Sequence, residues 1–156
     1  MRRSLFIIVA CLALAACGRG ETTAPASSTA TSTSSATTTV GGVTLHTSTI
    51  AIADLNDTAA PRYGIDRAQE GLMLLVTVRD AAGNGIEPGD LRLTATAAAL
   101  PDPPKPLELR AIGTDGMTDY IGLLQARAPA SVQFKLTATR GGSRADIATS
   151  AELYPR

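Results

Sequence analysis

Tryptophan is absent from this chain, aromatic residues make up 3% of it, and histidine occurs once, at His46. A core of this composition must be built from Leu, Ile, Val and Ala, with a few rings such as Phe134, Tyr120 and Tyr63. One histidine cannot assemble a multi-histidine zinc or copper site. Any Ser-His-Asp triad would have to use His46, and no serine sits in a nucleophile-elbow pattern to accompany it. His46 falls in an alternating segment, where a surface or core-edge role is expected. Met73 and Met117 are too few for a methionine copper cluster, so neither a metal site nor a cofactor is expected. An excess of charge of one sign is missing too, since 14 basic residues face 14 acidic ones. Setting aside Arg2, Arg3, Arg19 and Glu21 leaves the region from Gly41 onward at about −2, which excludes the basic footprint of a nucleic-acid binder.

A long apolar run is also lacking. The chain begins with Arg2 and Arg3, and the apolar stretch that follows, from Leu5 to Leu14, is well short of the roughly 20 residues needed to span a bilayer. It ends in Leu14-Ala15-Ala16-Cys17, and the whole reads as a bacterial lipoprotein signal closed by a lipobox. The arginines hold the start on the cytoplasmic side, Leu5-Phe6-Ile7-Ile8-Val9 enters the bilayer, and small Ala15 and Ala16 let a signal peptidase grip the backbone. Cys17 supplies the thiol that accepts diacylglycerol. On this reading residues 1–16 are removed and Cys17, carrying acyl chains of the palmitate type, becomes the first residue and the membrane attachment. Cys11 leaves with the signal and the Cys17 sulfur is consumed, so the mature domain holds no free thiol and no disulfide. Gly18 stands where an aspartate would signal inner-membrane retention, so the expected location is the cell envelope, at the periplasmic face of the outer membrane.

Residues 17–42 are nearly all Thr, Ser, Ala and Gly, with Pro25 and no apolar periodicity, and are expected to form a disordered tether. Residues 43–156 then form one domain. From Val43 the apolar residues alternate with polar ones, the strand period, which places strands at 43–51, 72–79, 91–96, 107–112, 118–124, 132–139 and 145–153. In Val132-Gln133-Phe134-Lys135-Leu136-Thr137 one face is apolar and the other polar, as in a sheet with one wet side. Leu72 to Val78 is apolar on both faces, as expected of a central strand covered on each side or of a strand near an edge loop. Asp80 to Gly85 and Arg140 to Ser143 read as hairpin turns, and proline-rich Leu100 to Pro106 as an extended loop. Between Asp54 and Glu70 the strand period stops. Asp57 as N-cap and Gly64 as stop predict a short helical turn, capping one end of a sandwich. The expected fold is all-β: a single Ig-like antiparallel β-sandwich of about seven strands with one short helical turn.

The carboxylates are scattered. Asp54 and Asp57 near the helical turn, and Asp80, Asp90, Asp115 and Asp119 beside turns, suit capping and turn duties better than paired acid-base catalysis. The run Thr114 to Asp119 lacks the ligand spacing of a calcium loop, and Gly83-Asn84-Gly85 lacks the lysine and helix of a phosphate cradle.

One stretch carries a likeness. At Arg62-Tyr63-Gly64-Ile65-Asp66-Arg67, followed by Gly71-Leu72 and Val76-Thr77-Val78-Arg79-Asp80, and later by Leu107 to Ile112 and Tyr120-Ile121-Gly122, the chain resembles a family of small exported proteobacterial proteins whose domain is of unknown function. The likeness covers roughly Leu45 to Tyr154. It implies an Ig-like sandwich in the periplasm and brings no catalytic residues with it. A weaker likeness, to small periplasmic sandwich domains that handle copper, lacks the His and Met ligands. Within the Tyr63–Arg67 run, Gly64 is expected to adopt positive φ, Ile65 to plug the sandwich end and Tyr63 to lie over the core. In the competing reading, Tyr63 and Arg67 form an exposed interaction patch, since Tyr and Arg often carry interface energy.

These features lead to a non-catalytic binding or adaptor module, held to the membrane by Cys17, whose partner is an envelope protein or ligand that the sequence does not name. The rival is a periplasmic enzyme or metal carrier without a recognisable site. The anchor is directly testable. Cys17→Ser is expected to leave an unprocessed or soluble precursor in cell fractionation, whereas membrane-bound protein of wild-type size would overturn the lipoprotein reading.

Overall fold

The computed structural model describes residues 34–156; Cys17, the signal and residues 17–33 lie outside them. Among the described residues there are nine strands: β1 (Ser35–Val40), β2 (Val43–Ala51), β3 (Gly71–Arg79), β4 (Arg92–Ala99), β5 (Lys105–Leu107), β6 (Arg110–Thr114), β7 (Met117–Gln125), β8 (Ala130–Arg140) and β9 (Ser143–Leu153). A 3-10 turn at Ile52–Asp54 and a five-residue helix, α1 (Ala59–Tyr63), complete the set. The strands form two antiparallel sheets, one of order β1-β2-β3-β7-β6 and one of order β5-β4-β8-β9. The expected all-β sandwich is what the chain folds into.

The core lies between the sheets. Leu45, Leu72, Leu74, Val76 and Val78 from the first sheet meet Val132, Phe134, Leu136 and Ala138 from the second. Phe134 is the largest fully buried side chain, at 1% exposure. It packs among small neighbours, since Ala95 and Ala97 occupy the same core, so one ring supplies volume that a sequence poor in aromatics must otherwise find in aliphatics. The alternation read in β8 is observed directly: Val132, Phe134 and Leu136 are buried while Gln133 and Lys135 are exposed.

Several expectations about boundaries require correction. The Ser/Thr-rich stretch does not continue as a tether to Gly42. Ser35–Val40 pairs with β2 from Ser35–Ser48 to Val40–Val43, joined by a tight turn in which Gly41 and Gly42 both have positive φ. Such an edge strand needs backbone pairing and β-branched threonines more than an apolar stripe, and Thr47 and Thr49 add hydroxyl bonds to the carbonyls of Ala36 and Ser34. The strand expected at 107–112 is two, β5 and β6, which belong to opposite sheets; the chain crosses over at Glu108-Leu109. Pro106, read as loop, lies in β5, at the sheet edge that tolerates a missing N–H. Asp80 to Gly85 is a tight turn closed by a bridge between Arg79 and Gly85, but it does not join two paired strands, because β3 and β4 lie in different sheets.

The segment before β3 was expected at the sandwich end. It instead covers the outer face of the first sheet. Ile52, Leu55, Ala60 and Ile65 pack on Met73 and Ile121 in a second buried cluster, which explains why β3 is apolar on both sides: Leu72, Leu74 and Val76 face the core, and Met73 faces this cover. Asp57 is not the cap. The side-chain oxygen of Asn56 accepts the N–H groups of Thr58 and Ala59. Gly64 ends the helix with φ of 62°, as expected of a left-handed stop.

Ile65 is 7% exposed within the outer cluster, whereas the Arg67 side chain is 43% exposed. Ile65→Ala is therefore expected to lower unfolding stability by about 2–4 kcal/mol, and Arg67→Ala to change it by less than about 0.5 kcal/mol. Urea unfolding of the domain measures both, and an unshifted midpoint for Ile65→Ala would remove the cover from the list of stabilising elements.

Candidate functional site

The two ends of the sandwich are built differently. At one end Arg140 ties the turns together: its guanidinium donates to the carbonyl of Gly41 and, at 3.3 Å, to that of Pro88, and lies 3.5 Å from the Asp90 carboxylate. Asp90 also accepts the N–H of Gly141 at 2.9 Å. Charge-assisted bonds to backbone carbonyls make this a rigid end.

The other end is open. A cleft of about 750 Å³ lies there, framed by the 3-10 turn, the loop leading into β3, Ala128 of the β7–β8 connection and the segment that follows β9. Gly71 starts β3 on its floor. A Cβ there would stand 2.1 Å from the Leu124 carbonyl oxygen, and φ is +148°, so the backbone approaches closely where no side chain fits. Gln69 and Glu70 also border a second depression of about 410 Å³ with Gln125, Ala126 and Arg127.

The charged groups of the cleft have partners. Arg156 is ion-paired with Asp54, Arg67 with Asp57, and Glu70 with Arg127 at 3.9 Å. Glu152 accepts the Ser131 hydroxyl at 2.6 Å. Ala51, Ala53, Leu153, Tyr154 and Pro155 supply small and apolar lining between them. The arrangement offers small and apolar lining with a rim of paired, largely solvent-exposed charges, suited to holding a molecule by shape and by hydrogen bonds at its periphery.

Of the residues singled out from the sequence, Arg67 lines this cleft and Tyr63 does not. Tyr63 is half-buried against the outer cluster, and its carbonyl accepts from Arg110. Cys17 lies outside the described residues. His46 is exposed on β2, with Nδ1 2.9 Å from the Thr37 hydroxyl. No group of three or more potential metal ligands occurs among the described residues, and no described helix is long and apolar enough to cross a membrane. Asp54, Glu152, Tyr154 and Arg156 line the cleft without any local sequence signal, because each acquires its role only from segments distant in sequence.

The carboxylates read as turn residues behave so at Asp80 and Asp90. Asp80 accepts the N–H groups of Ala82 and Asn84, both at 2.8 Å, and the Asn84 side-chain amide at 3.2 Å. The Asn84 backbone N–H, first among these donors, holds the Asp80 carboxyl below its ordinary value. The Thr137 hydroxyl and then Arg144 do the same for Asp146, and burial pushes the Tyr120 hydroxyl up.

The model for DUF4426, a domain of unknown function, matches residues 37–156. The chain is a member of the DUF4426 family. The match begins inside β1, so the strand read as tether belongs to the DUF4426 domain. A crystal structure of a DUF4426 family protein from Pseudomonas aeruginosa is similar to it at 17% identity with a TM-score of 0.60, covering 78% of this chain and 96% of that one. FetP of a uropathogenic Escherichia coli strain, recombinantly expressed in the periplasm, is similar at 10% identity and a TM-score of 0.52, covering 78% and 95%. Both likenesses are of fold. No curated protein sequence matches the chain.

The Asp80 turn makes stability depend on pH. A carboxyl depressed in the folded state contributes stability that is complete above its unfolded value, about 3.9, and lost as pH falls through the lower folded value. The Asn84 amide resonance should hold still from neutral pH to about 5 and move only below about 4, and Asp80→Asn should abolish that movement. Movement centred at or above the unfolded value of about 3.9 would show that the carboxyl is not held by these donors.

Proposed function

We infer that this DUF4426 protein is a lipid-anchored module of the cell envelope that works by binding, as an accessory or adaptor, and not by catalysis. The observation that carries the reading is the cleft at the open end, small and apolar lining rimmed by Asp54, Arg67, Glu70, Glu152 and Arg156, each already paired. Asp54, partly buried beside Arg156, and Glu152, held by the Ser131 hydroxyl, are pre-organised for recognition, because little side-chain entropy remains to be lost when a ligand seats. The lipobox ending at Cys17 supports attachment to a membrane, and the periplasmic expression of FetP, similar in fold, supports an envelope address. A lipidated Cys17 at the outer membrane would leave the domain facing the periplasm.

A photo-crosslinking residue placed at Ala68, in the cleft, should capture one dominant adduct in intact cells, while the same residue at Ala81, at the other end, should not. The adduct should weaken when Arg67→Glu reverses the rim charge. Equal labelling from both ends would count against a binding function for the cleft.

A further inference from the structure

The exposed large hydrophobic side chains among the described residues are Leu100, Leu123 and Tyr154, at 47%, 37% and 50% exposure. They come from three separate parts of the chain, and the strand registers bring them to one end. Leu123 pairs with Met73, two positions from the final β3–β7 pair of Gly71 with Gln125. Leu100 follows β4, and its N–H donates to the Ser131 carbonyl. Tyr154 follows β9, whose Leu153 closes the β8 ladder against Ala130. The chain also arrives from Cys17 at this end: the Ser34 carbonyl accepts the Thr49 N–H, two residues before Ala51, which pairs with Leu72. The Arg140-tied end holds none of the three.

We propose that the open end of the sandwich is a membrane-contact surface, with Leu100, Leu123 and Tyr154 resting in the interfacial layer of the bilayer that holds the Cys17 acyl chains. The proposal rests on the lipid-anchor reading above and adds an orientation to it. Residues 17–34 reach at most about 60 Å, so an anchored domain stays at high local concentration beside one membrane, where a contact too weak to bind a free protein is occupied. Tyrosine suits the interface because its ring is apolar and its hydroxyl stays wet, and leucine gains by leaving water. Charge is not the attraction. Arg67, Arg127 and Arg156 at this end each lie beside a carboxylate, Asp57, Glu70 and Asp54 respectively, which distinguishes the surface from a polybasic patch. A cleft so placed would meet its ligand at the membrane surface.

The test uses the whole mature chain from Cys17, purified with its lipid and reconstituted into phosphatidylethanolamine–phosphatidylglycerol vesicles. Leu100→Cys, Tyr154→Cys and, as a control at the opposite end, Ala81→Cys each carry a polarity-sensitive nitrobenzoxadiazole probe on the new thiol, the Cys17 sulfur being blocked by its thioether bond to diacylglycerol. Emission at 100 and 154 should rise severalfold and shift to the blue while position 81 stays water-like. The difference should persist from about 0.1 to about 1 M salt, across which the screening length falls from about 10 to about 3 Å. Water-like emission at all three positions in vesicle-bound protein would overturn the surface and leave the anchor standing. An intact mass without acyl chains on Cys17 would overturn the anchor and the surface with it. A blue shift that needs no vesicles and grows with protein concentration would assign the face to a second copy of the chain, and overturn the proposal.

Discussion

Everything at the open end depends on β3 having to be buried twice. Its residues alternate between two apolar faces, Leu72, Leu74 and Val76 on one and Met73 on the other, so covering it with the second sheet alone would leave Met73 and its neighbour Ile121 in water. Burying such side chains is worth about 1.5–3 kcal/mol each. The segment from Ile52 to Ile65 meets this need by folding back over the outer face. Having done so, the chain must return to start β3 at Gly71, and residues 67–70 of that return form one wall of the cleft.

The two ends divide stability from exposure. At one, a single guanidinium joins Gly41, Pro88 and Asp90, drawing three connections onto one point. At the other, wider loops, the C-terminal segment and the arrival of the chain at Ser34 leave apolar side chains uncovered. Loops held by a rigid scaffold are where recognition usually resides. The DUF4426 protein from Pseudomonas aeruginosa and FetP are similar in fold at 17% and 10% identity, so this scaffold forms from sequences that differ at most positions.

Much of the strand pattern was legible because alternation is local. Val132, Phe134 and Leu136 announce their burial by spacing alone, as does the left-handed stop at Gly64, which only a residue without Cβ adopts readily. The strand in Ser35–Val40 was not legible, since an edge strand is held by backbone bonds to β2 and its threonines and serine look like those of a disordered spacer. The division of residues 105–114 between opposite sheets was hidden for a related reason: Leu107 and Leu109 keep the strand period straight through the crossover.

By itself the sequence determined the all-β class, the run in β3 that is apolar on both faces and the poverty of chemistry-bearing side chains, because each is a matter of residue type and short-range spacing. Only the tertiary structure decided that the helical segment covers a sheet face, that Asp54 meets Arg156, that Arg67 and not Tyr63 borders the cleft, and that Leu100, Leu123 and Tyr154 share one end. Those relations join residues far apart in sequence. They are fixed by which strands pair across the two sheets, a choice made by the summed burial of the whole core and written in no single stretch of it.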